Sequence, residues 1–311
     1  MTSAAPVVFT HSACFGHDTG PGHAERPERL GAVIDGLRHA FENAQWLEAP
    51  RATRGQLLHA HDASLLATVL ETRPAERIML DPDTVLSPAS AEAALRAAGA
   101  GVAAVDAVIG GETRSAFCAV RPPGHHATGD TAMGFCLFNS IAVAARHALD
   151  KHGLSRVAVV DFDVHHGNGT QAIFEADPRV LYLSSHQMPL YPDTGRADER
   201  GVGNIVNAPL PPGAAGAEFR SAWRETLLPA LDAFRPQLLL ISAGFDAHWR
   251  DPLAQLRLDE DDYAWITEQL VLLADRHAQG RVVSMLEGGY DLQALRECSV
   301  AHVRALTRQV L

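Results

Sequence analysis

The sequence predicts an α/β fold in which helices cover both faces of a mostly parallel central sheet. Short apolar runs, often rich in β-branched residues, alternate with longer stretches of helical composition, a pattern typical of parallel strands joined by crossover helices. Clusters of polar residues follow these runs directly. Because ligands bind outside the carboxyl ends of the strands in open parallel sheets, the clusters predict one pocket at that edge.

Five short apolar runs are predicted strands: residues 116–120, 157–162, 180–184, 238–242 and 282–286. Four stretches with helical composition and apolar spacing are predicted helices: residues 89–108, 139–152, 217–234 and 259–279. Ser87 is predicted to cap the first of these helices, with Pro88 in its first turn.

The chain is predicted to form a single domain over residues 1–311. Its 311 residues, 47% of them hydrophobic, are enough to bury a substantial core. Residues 16–29 and 207–216 look like loops. Because Asp246 and Tyr290 lie beyond the second segment and would complete a pocket begun before it, we expect both segments to be rim loops and not linkers between domains.

The composition of the sequence limits the kinds of partner that the protein is expected to bind. A formal net charge of −11 argues against nucleic acid, which needs a basic surface, and weakly favours cationic substrates. Residues 1–9 lack the pattern of a signal peptide, and no apolar run approaches the ~18 residues that cross a membrane, so we expect a cytoplasmic protein without a membrane partner. The four scattered cysteines are expected to be reduced. The sequence leaves a monomer and a homo-oligomer both open.

Acidic residues and histidines at two strand ends predict a metal site. Alternation along a strand points Asp161, Asp163 and His165 to the same side, and Asp246 follows another hydrophobic strand. Three ligands drawn from Asp163, His165 and Asp246 would leave a coordination position open for water and substrate, as in catalytic zinc sites. Iron(II) or another divalent ion suits the same ligand types.

Several motifs in this order resemble the histone deacetylase superfamily, within the arginase/deacetylase fold. They lie at residues 22–30, 121–126, 161–169, 244–246 and 286–290, and the resemblance covers nearly the whole chain. The versions in this sequence look like those of class II enzymes, which bacterial acetylpolyamine amidohydrolases partly share. The resemblance implies a deacetylase, a hydrolase of amide bonds.

The resemblance also implies roles for individual residues. One zinc ion per chain would be bound by Asp163, His165 and Asp246. His126 would be the general base that takes a proton from water and later delivers one to the leaving amine, while His125 would be an electrostatic helper held by Asp161. Tyr290, after two glycines, would donate a hydrogen bond to the substrate oxygen as it becomes negative.

Further positions follow from the resemblance alone. A narrow tunnel for an extended acyl-amine chain would be lined by Gly134, Phe135, Tyr191 and Leu253. A potassium ion close to the zinc is expected at Asp161 and Ser184, with the main chain of Asp163, His165 and Ser185. A second potassium is expected near Phe174, Asp177 and Val180.

Two departures from the family pattern bear on function. Asn168 stands where class I enzymes carry an aspartate, so His126 would have a neutral partner. Leu253 stands where some polyamine-specific relatives carry an acidic gatekeeper, which argues mildly against a polyamine specialist. The first substrate class is acetyl-lysine in proteins, and acetylated polyamines or another small acyl-amine are the alternative. An arginase-like binuclear manganese enzyme and a non-catalytic acyl-binding protein rank lower.

Overall fold

A sheet of eight parallel strands runs through the part of the chain described by the structure, a computed structural model that covers residues 5–308. Residues 1–4, where part of the signal-peptide prediction falls, and 309–311, the end of the predicted domain, lie outside it. The strands in chain order are β1 (Val7–Thr10), β2 (Gln45–Glu48), β3 (Ile78–Met79), β4 (Val85–Leu86), β5 (Ser115–Cys118), β6 (Val157–Asp161), β7 (Val180–Gln187), β8 (Ile205–Leu210), β9 (Leu238–Ala243) and β10 (Val282–Leu286).

The central sheet has the order β2-β1-β5-β10-β9-β6-β7-β8, and β3 and β4 form a separate antiparallel pair. Every residue of β5, β6, β7, β9 and β10 is buried, as expected for strands that are covered on both faces. All five predicted strands are therefore present, with ends that differ by a few residues. The predicted α/β fold with a parallel sheet is confirmed.

The helices in chain order are a 3₁₀ turn (Ser12–Gly16), α1 (Pro27–Ala40), α2 (Arg54–Leu58), α3 (Ala63–Glu71), α4 (Ser90–Gly110), α5 (Ser140–Asp150), α6 (Asn168–Phe174), α7 (Gly216–Ala222), a π-helical turn (Trp223–Leu227), α8 (Leu228–Phe234), α9 (Glu260–His277) and α10 (Leu292–Thr307). Helices α4 and α5 contact β5, β6, β9 and β10, whereas α8, α10 and the π turn contact β5, β7 and β8. The predicted helix at 217–234 is thus three consecutive helical pieces.

The register of the central strands places polar residues side by side at the carboxyl edge. Asp161, the last residue of β6, pairs with Ser184 of β7 on one side and with Ser242 of β9 on the other. All three are fully buried. The loops that leave this edge carry the candidate site, as the positions of the polar clusters predicted.

Three local predictions were wrong. Ser87 does not cap α4: the helix begins at Ser90, and Ser87 instead forms a turn in which its N–H donates to the Ser90 hydroxyl at 2.7 Å. The segment 207–216 is not all loop, because its first residues belong to the edge strand β8, where Pro209 is tolerated. The segment 16–29 likewise ends inside α1, which has Pro27 in its first turn.

Helix α4 is long and apolar enough to cross a membrane by length and composition, contrary to the prediction that no such run exists. It spans 21 residues, and 67% of its most apolar window is buried inside the fold. The helix contacts β1, β5, β10 and α5. Its apolar character is therefore accounted for by packing against the sheet and its neighbours.

Candidate active site

Three predicted metal ligands converge beyond the ends of β6 and β9. Nδ1 of His165 lies 3.1 Å from Oδ1 of Asp163 and 3.1 Å from Oδ2 of Asp246. The three ligand atoms all lie within 4.8 Å of one another. The Asp163 and Asp246 side chains are fully buried, so bulk solvent screens their charges poorly.

The electrostatics of this group suit a divalent cation. Burial and the neighbouring Asp163 carboxylate raise the pKa of Asp246. Against the opposing effect of burial, hydrogen bonds to Asp163 and Asp246 raise the pKa of His165 to about 10. Two buried carboxylates facing one imidazole nitrogen form a donor set with excess negative charge, which a zinc-type ion would neutralise while it kept a position open.

Gly288 makes the close packing of this centre possible. Its main-chain N–H donates to Oδ2 of Asp163 at 2.8 Å. A β-carbon at this position would collide with the carboxylates of both Asp163 and Asp246. The β10 loop can therefore lie against both acidic ligands only because residue 288 has no side chain.

The paired histidines have different partners and opposite pKa shifts. Nδ1 of His125 lies 3.0 Å from Oδ2 of Asp161, and Nδ1 of His126 lies 2.8 Å from Oδ1 of Asn168. The Asp163 and Asp161 carboxylates outweigh burial and hold the pKa of His125 well above its ordinary value. Burial, followed by the charge of His125, holds the pKa of His126 well below its ordinary value. At neutral pH the geometry favours a cationic His125 beside a neutral His126.

Tyr290 is held in place from its main chain and from its ring. Its main-chain N–H donates to Oδ2 of Asp251 at 2.8 Å, and the guanidinium carbon of Arg29 lies 4.9 Å from the ring centroid. Burial and the charge of Asp246 raise the pKa of the Tyr290 hydroxyl well above its ordinary value. The hydroxyl is therefore protonated and available as a hydrogen-bond donor at neutral pH.

Glu287 is a site residue for which the sequence predicts no role. One of its oxygens accepts hydrogen bonds from the main-chain N–H groups of Gly124, at 2.6 Å, and His125, at 3.2 Å. The other oxygen accepts from the Ser242 hydroxyl at 3.1 Å. Burial raises its pKa to about 7. Glu287 ties the histidine loop to β9 and β10, and its place beside Gly288 in the motif at 286–290 was the available signal.

A buried network of Glu25, Arg29 and Arg121 was also missed. The Glu25 carboxylate accepts from Arg121 at 2.5 and 2.7 Å and from Arg29 at 2.9 Å, and all three side chains are fully buried. Arg29 also donates to the main-chain oxygens of Gly289 and Glu287, at 2.6 and 2.5 Å. The network therefore fixes the backbone on both sides of Gly288. The three residues belong to the motifs at 22–30 and 121–126, but the sequence does not indicate that they pair with one another.

The aromatic residues predicted for the tunnel surround the histidine and the tyrosine. The Tyr191 ring lies 5.2 Å from the His126 ring, and the Phe135 ring lies 5.9 Å from the Tyr290 ring. Gly134 has a positive φ of 56°, and a β-carbon there would lie 2.5 Å from the His126 ring. Leu253 is 36% exposed. Its main-chain N–H donates to Oδ1 of Asp251 at 3.0 Å, the same residue that accepts from the Tyr290 N–H.

The two predicted potassium positions differ. Asp161 and Ser184, where the first ion is predicted, are register partners on β6 and β7, and this ion stays a prediction. At the second position the main-chain oxygens of Phe174, Asp177 and Val180 already accept hydrogen bonds from the side-chain nitrogen of Asn204. These residues, as arranged, do not fit a second potassium ion.

Comparison with known proteins gives one consistent result. Residues 23–306 match the family model described as the histone deacetylase domain. A histone deacetylase-like amidohydrolase of Pseudomonas aeruginosa is 42% identical over 326 residues, which cover 97% of this chain and 86% of that protein. The human polyamine deacetylase HDAC10 is 39% identical, over 91% of this chain and 44% of its own length. The solved HDA15 HD domain superposes with a TM-score of 0.91 at 34% identity, covering 96% of this chain and 90% of that one.

Proposed function

The chain belongs to the histone deacetylase family and is a deacetylase that hydrolyses amide bonds, and from this premise we propose that it is zinc-dependent and acts on N-acetyl-lysine in proteins or peptides. The observation that carries the proposal is the position of His165 Nδ1, 3.1 Å from one oxygen of each of two buried aspartates. Zinc bound by Asp163, His165 and Asp246 would polarise the substrate carbonyl and lower the pKa of a water molecule.

His126 is the proposed general base. Its Nδ1 faces the Asn168 oxygen, so Nδ1 carries the proton and Nε2 is left free to accept one. Because its pKa is well below the ordinary value, His126 is neutral when substrate binds. It takes a proton from the attacking water and afterwards delivers a proton to the nitrogen of the leaving amine.

His125 and Tyr290 are proposed to stabilise charge and not to transfer the first proton. Asp161 and Asp163 hold His125 as a cation. The positive charge of His125 disfavours protonation of the neighbouring His126, which therefore stays neutral and able to accept a proton. Tyr290 stays protonated and donates a hydrogen bond to the carbonyl oxygen of the substrate as that oxygen becomes negative. A donor of this kind is worth roughly 100- to 1,000-fold in rate.

The aromatic residues beside the candidate metal site support the proposed substrate. Phe135 and Tyr191 present aromatic surfaces beside Tyr290 and His126, as suits an extended aliphatic chain that carries its acyl group to the metal ligands. A lysine side chain and a polyamine both have this form. Phe135 and Tyr191 are 56 residues apart in the sequence and lie on different loops. Separate segments of the chain therefore form the rim of the pocket.

An acetylated polyamine is the second candidate substrate, and two observations favour it. The relative HDAC10 is named a polyamine deacetylase, and the net charge of −11 attracts cationic molecules. Leu253 argues against an acetylated polyamine as the substrate, because an apolar side chain at this rim position offers no carboxylate to a second amine. Acetyl-lysine is therefore the preferred substrate class.

Steady-state kinetics on two substrates would test this choice. The zinc-reconstituted protein should have a higher kcat/KM for an acetyl-lysine peptide than for a mono-acetylated polyamine. Leu253→Glu should raise kcat/KM for the polyamine and leave that for an uncharged peptide nearly unchanged; Leu272→Glu, which changes an exposed leucine on α9, is the matched control. A wild-type preference for the polyamine would overturn the proposed substrate and leave the deacetylase chemistry intact.

A further inference from the structure

Away from the candidate active site, two histidines converge on one carboxylate oxygen where α5 runs past α4. Nε2 of His147 lies 2.7 Å and Nε2 of His152 lies 2.6 Å from the same atom, Oδ1 of Asp106. The three ligand atoms all lie within 4.8 Å of one another, and the two imidazole rings are 5.3 Å apart. The Asp106 side chain is 52% exposed, so solutes reach the cluster directly.

We infer that Asp106, His147 and His152 form a second binding site for a divalent transition metal of the zinc class. Two imidazoles and one carboxylate are a donor set that such ions prefer, with water in the remaining positions. Zinc–ligand distances of about 2.0–2.2 Å place tetrahedral ligands about 3.4 Å apart. Each nitrogen would therefore withdraw from the oxygen by about 0.7 Å, a small rotation for partly exposed side chains.

The tautomers at this cluster allow metal binding. Both histidines point Nε2 at the carboxylate, so the metal would replace the two Nε2 protons that now form hydrogen bonds. The cluster of His248, Glu260 and Cys298 makes a useful contrast. There Nδ1 of His248 accepts from the Arg250 N–H at 3.2 Å, which keeps the proton on Nε2, the atom that would have to bind the ion. Within the described residues no hydrogen bond occupies Nδ1 of His147 or His152, so in each ring the proton can move to Nδ1 and leave Nε2 to bind the ion.

Counting bound zinc tests this site. Protein stripped with a chelator, incubated with excess zinc and passed through gel filtration should hold two ions per chain. His147→Ala/His152→Ala should hold one and release acetate as the wild type does, Asp246→Ala should hold one, and the combined variant none. His59→Ala, which removes another surface histidine paired with an aspartate, should still hold two.

Equal zinc counts in the wild type and in His147→Ala/His152→Ala would overturn the inference. The ion lost in Asp246→Ala reports on the active site and the ion lost in His147→Ala/His152→Ala reports on the surface site, so failure of the proposed function and failure of the surface site give different results. An ion that is lost on gel filtration from the wild type would count as adventitious and would also overturn it.

An independent observation concerns Asn204, at the position where the family resemblance predicts a second potassium ion. Its side-chain nitrogen lies 2.7 Å from the main-chain oxygen of Phe174, 3.0 Å from that of Asp177 and 2.8 Å from that of Val180. The side-chain oxygen accepts from the Val202 N–H at 3.2 Å, which fixes the orientation of the amide. Three main-chain oxygens therefore face one nitrogen that carries two hydrogens.

From this arrangement we infer that the Asn204 amide takes the place of that ion. A set of main-chain oxygens around one point is the surrounding that a hard monovalent cation prefers. Here the partial positive charge of an NH₂ group at the end of a covalently attached side chain satisfies them instead. The loop after α6, the start of β7 and the approach to β8 are thus joined without an ion.

Removing the amide should make the protein depend on potassium. Asn204→Ala removes the side-chain donor shared by the three carbonyl oxygens, although those of Phe174 and Asp177 still accept from main-chain N–H groups, and potassium with water can refill the space. In LiCl the Tm should fall by about 2–6 °C relative to the wild type, and KCl at equal ionic strength should restore most of the loss. Val282→Ala, a truncation in β10, which β9 and β6 separate from β7 in the sheet, should lose the same stability in both salts.

A gap between Asn204→Ala and wild type that is equal in LiCl and KCl would contradict the inference. Crystals grown in rubidium chloride give a second measurement that does not depend on stability. Anomalous density among the three oxygens is expected in Asn204→Ala and not in the wild type. Such density in the wild type would overturn the inference outright.

Discussion

The Asn168 side-chain oxygen lies 2.8 Å from Nδ1 of His126, so the proposed general base has an uncharged partner. A carboxylate in this place would favour the protonated imidazole and raise its pKa by about 1–3 units. His126 acts as a base only when neutral, and activity is lost as pH falls through its pKa. Asn168→Asp should therefore move the acidic limb of the kcat/KM profile to higher pH, measured by acetate release across pH.

The control for this experiment is Asn168→Ala, which removes the hydrogen bond without adding a charge. It should lower activity without moving the acidic limb upward. An unchanged limb in Asn168→Asp would mean that His126 is not the group whose neutral form limits the reaction.

Tyr290→Phe should keep zinc and lose turnover. The substitution removes one hydroxyl and leaves the ring against Arg29 and the main-chain bond to Asp251 in place. Loss of a donor to the developing negative charge should reduce kcat by roughly 100- to 1,000-fold. Zinc content measured beside acetate release checks both parts, and a fully active Tyr290→Phe would show that the hydroxyl does not act on the substrate oxygen.

Gly134→Ala should impair catalysis through His126. Gly134 has a positive φ, and an added β-carbon would press on the His126 ring at 2.5 Å. The matched control is Gly153→Ala, where φ is 67° but nothing lies within 4 Å of the added atom. Both variants should lose about 1–2 kcal/mol of unfolding free energy from backbone strain, but only Gly134→Ala should lose most of its kcat. Equal activity in the two variants would contradict this account of Gly134.

Glu25→Gln should destabilise the fold by about 3–5 kcal/mol, because it leaves two buried guanidinium groups without their shared counter-charge. Burial opposes the charged form, but Arg121 and Arg29 lower the pKa of Glu25 from 4.5 to about 2. A lowered folded-state pKa contributes stability above pH 4.5 that is lost as pH falls towards 2.

Urea unfolding at several pH values measures this contribution. The difference in unfolding free energy between wild type and Glu25→Gln should be largest above pH 4.5 and should shrink on acidification. A difference that stays constant between pH 6 and pH 3 would show that Glu25 is not an ionised partner of the two arginines.

Much of the fold could be predicted because each central strand carries its own signal. The five buried strands are short, apolar and often β-branched, and the alternation after β6 correctly grouped Asp163 and His165 with a carboxylate from a second strand. Strands β1 and β2 were missed. The apolar run of β1 (VVFT) is only three residues long, and β2 (QWLE) has only two adjacent apolar residues.

The residues that support the site could not be assigned because their partners are distant in sequence. Glu25 binds Arg121 across 96 positions, and Arg29 reaches Gly289 across 260. A buried charge is stable only with such partners, and nothing local to Glu25 or Arg29 indicates that either is buried. Asn204 shows the same limit: the resemblance predicted an ion at its three oxygens, and only the folded backbone reveals that an amide faces them.

Acetate release from an acetyl-lysine peptide, measured on stripped protein before and after addition of zinc, tests the central claim most directly. Wild-type protein should be inactive when stripped and active after one zinc ion fills the Asp163, His165 and Asp246 site, whereas Asp246→Ala should stay inactive at every zinc concentration. Equal acetate release with and without the metal, or full activity in Asp246→Ala, would contradict a zinc-dependent deacetylase.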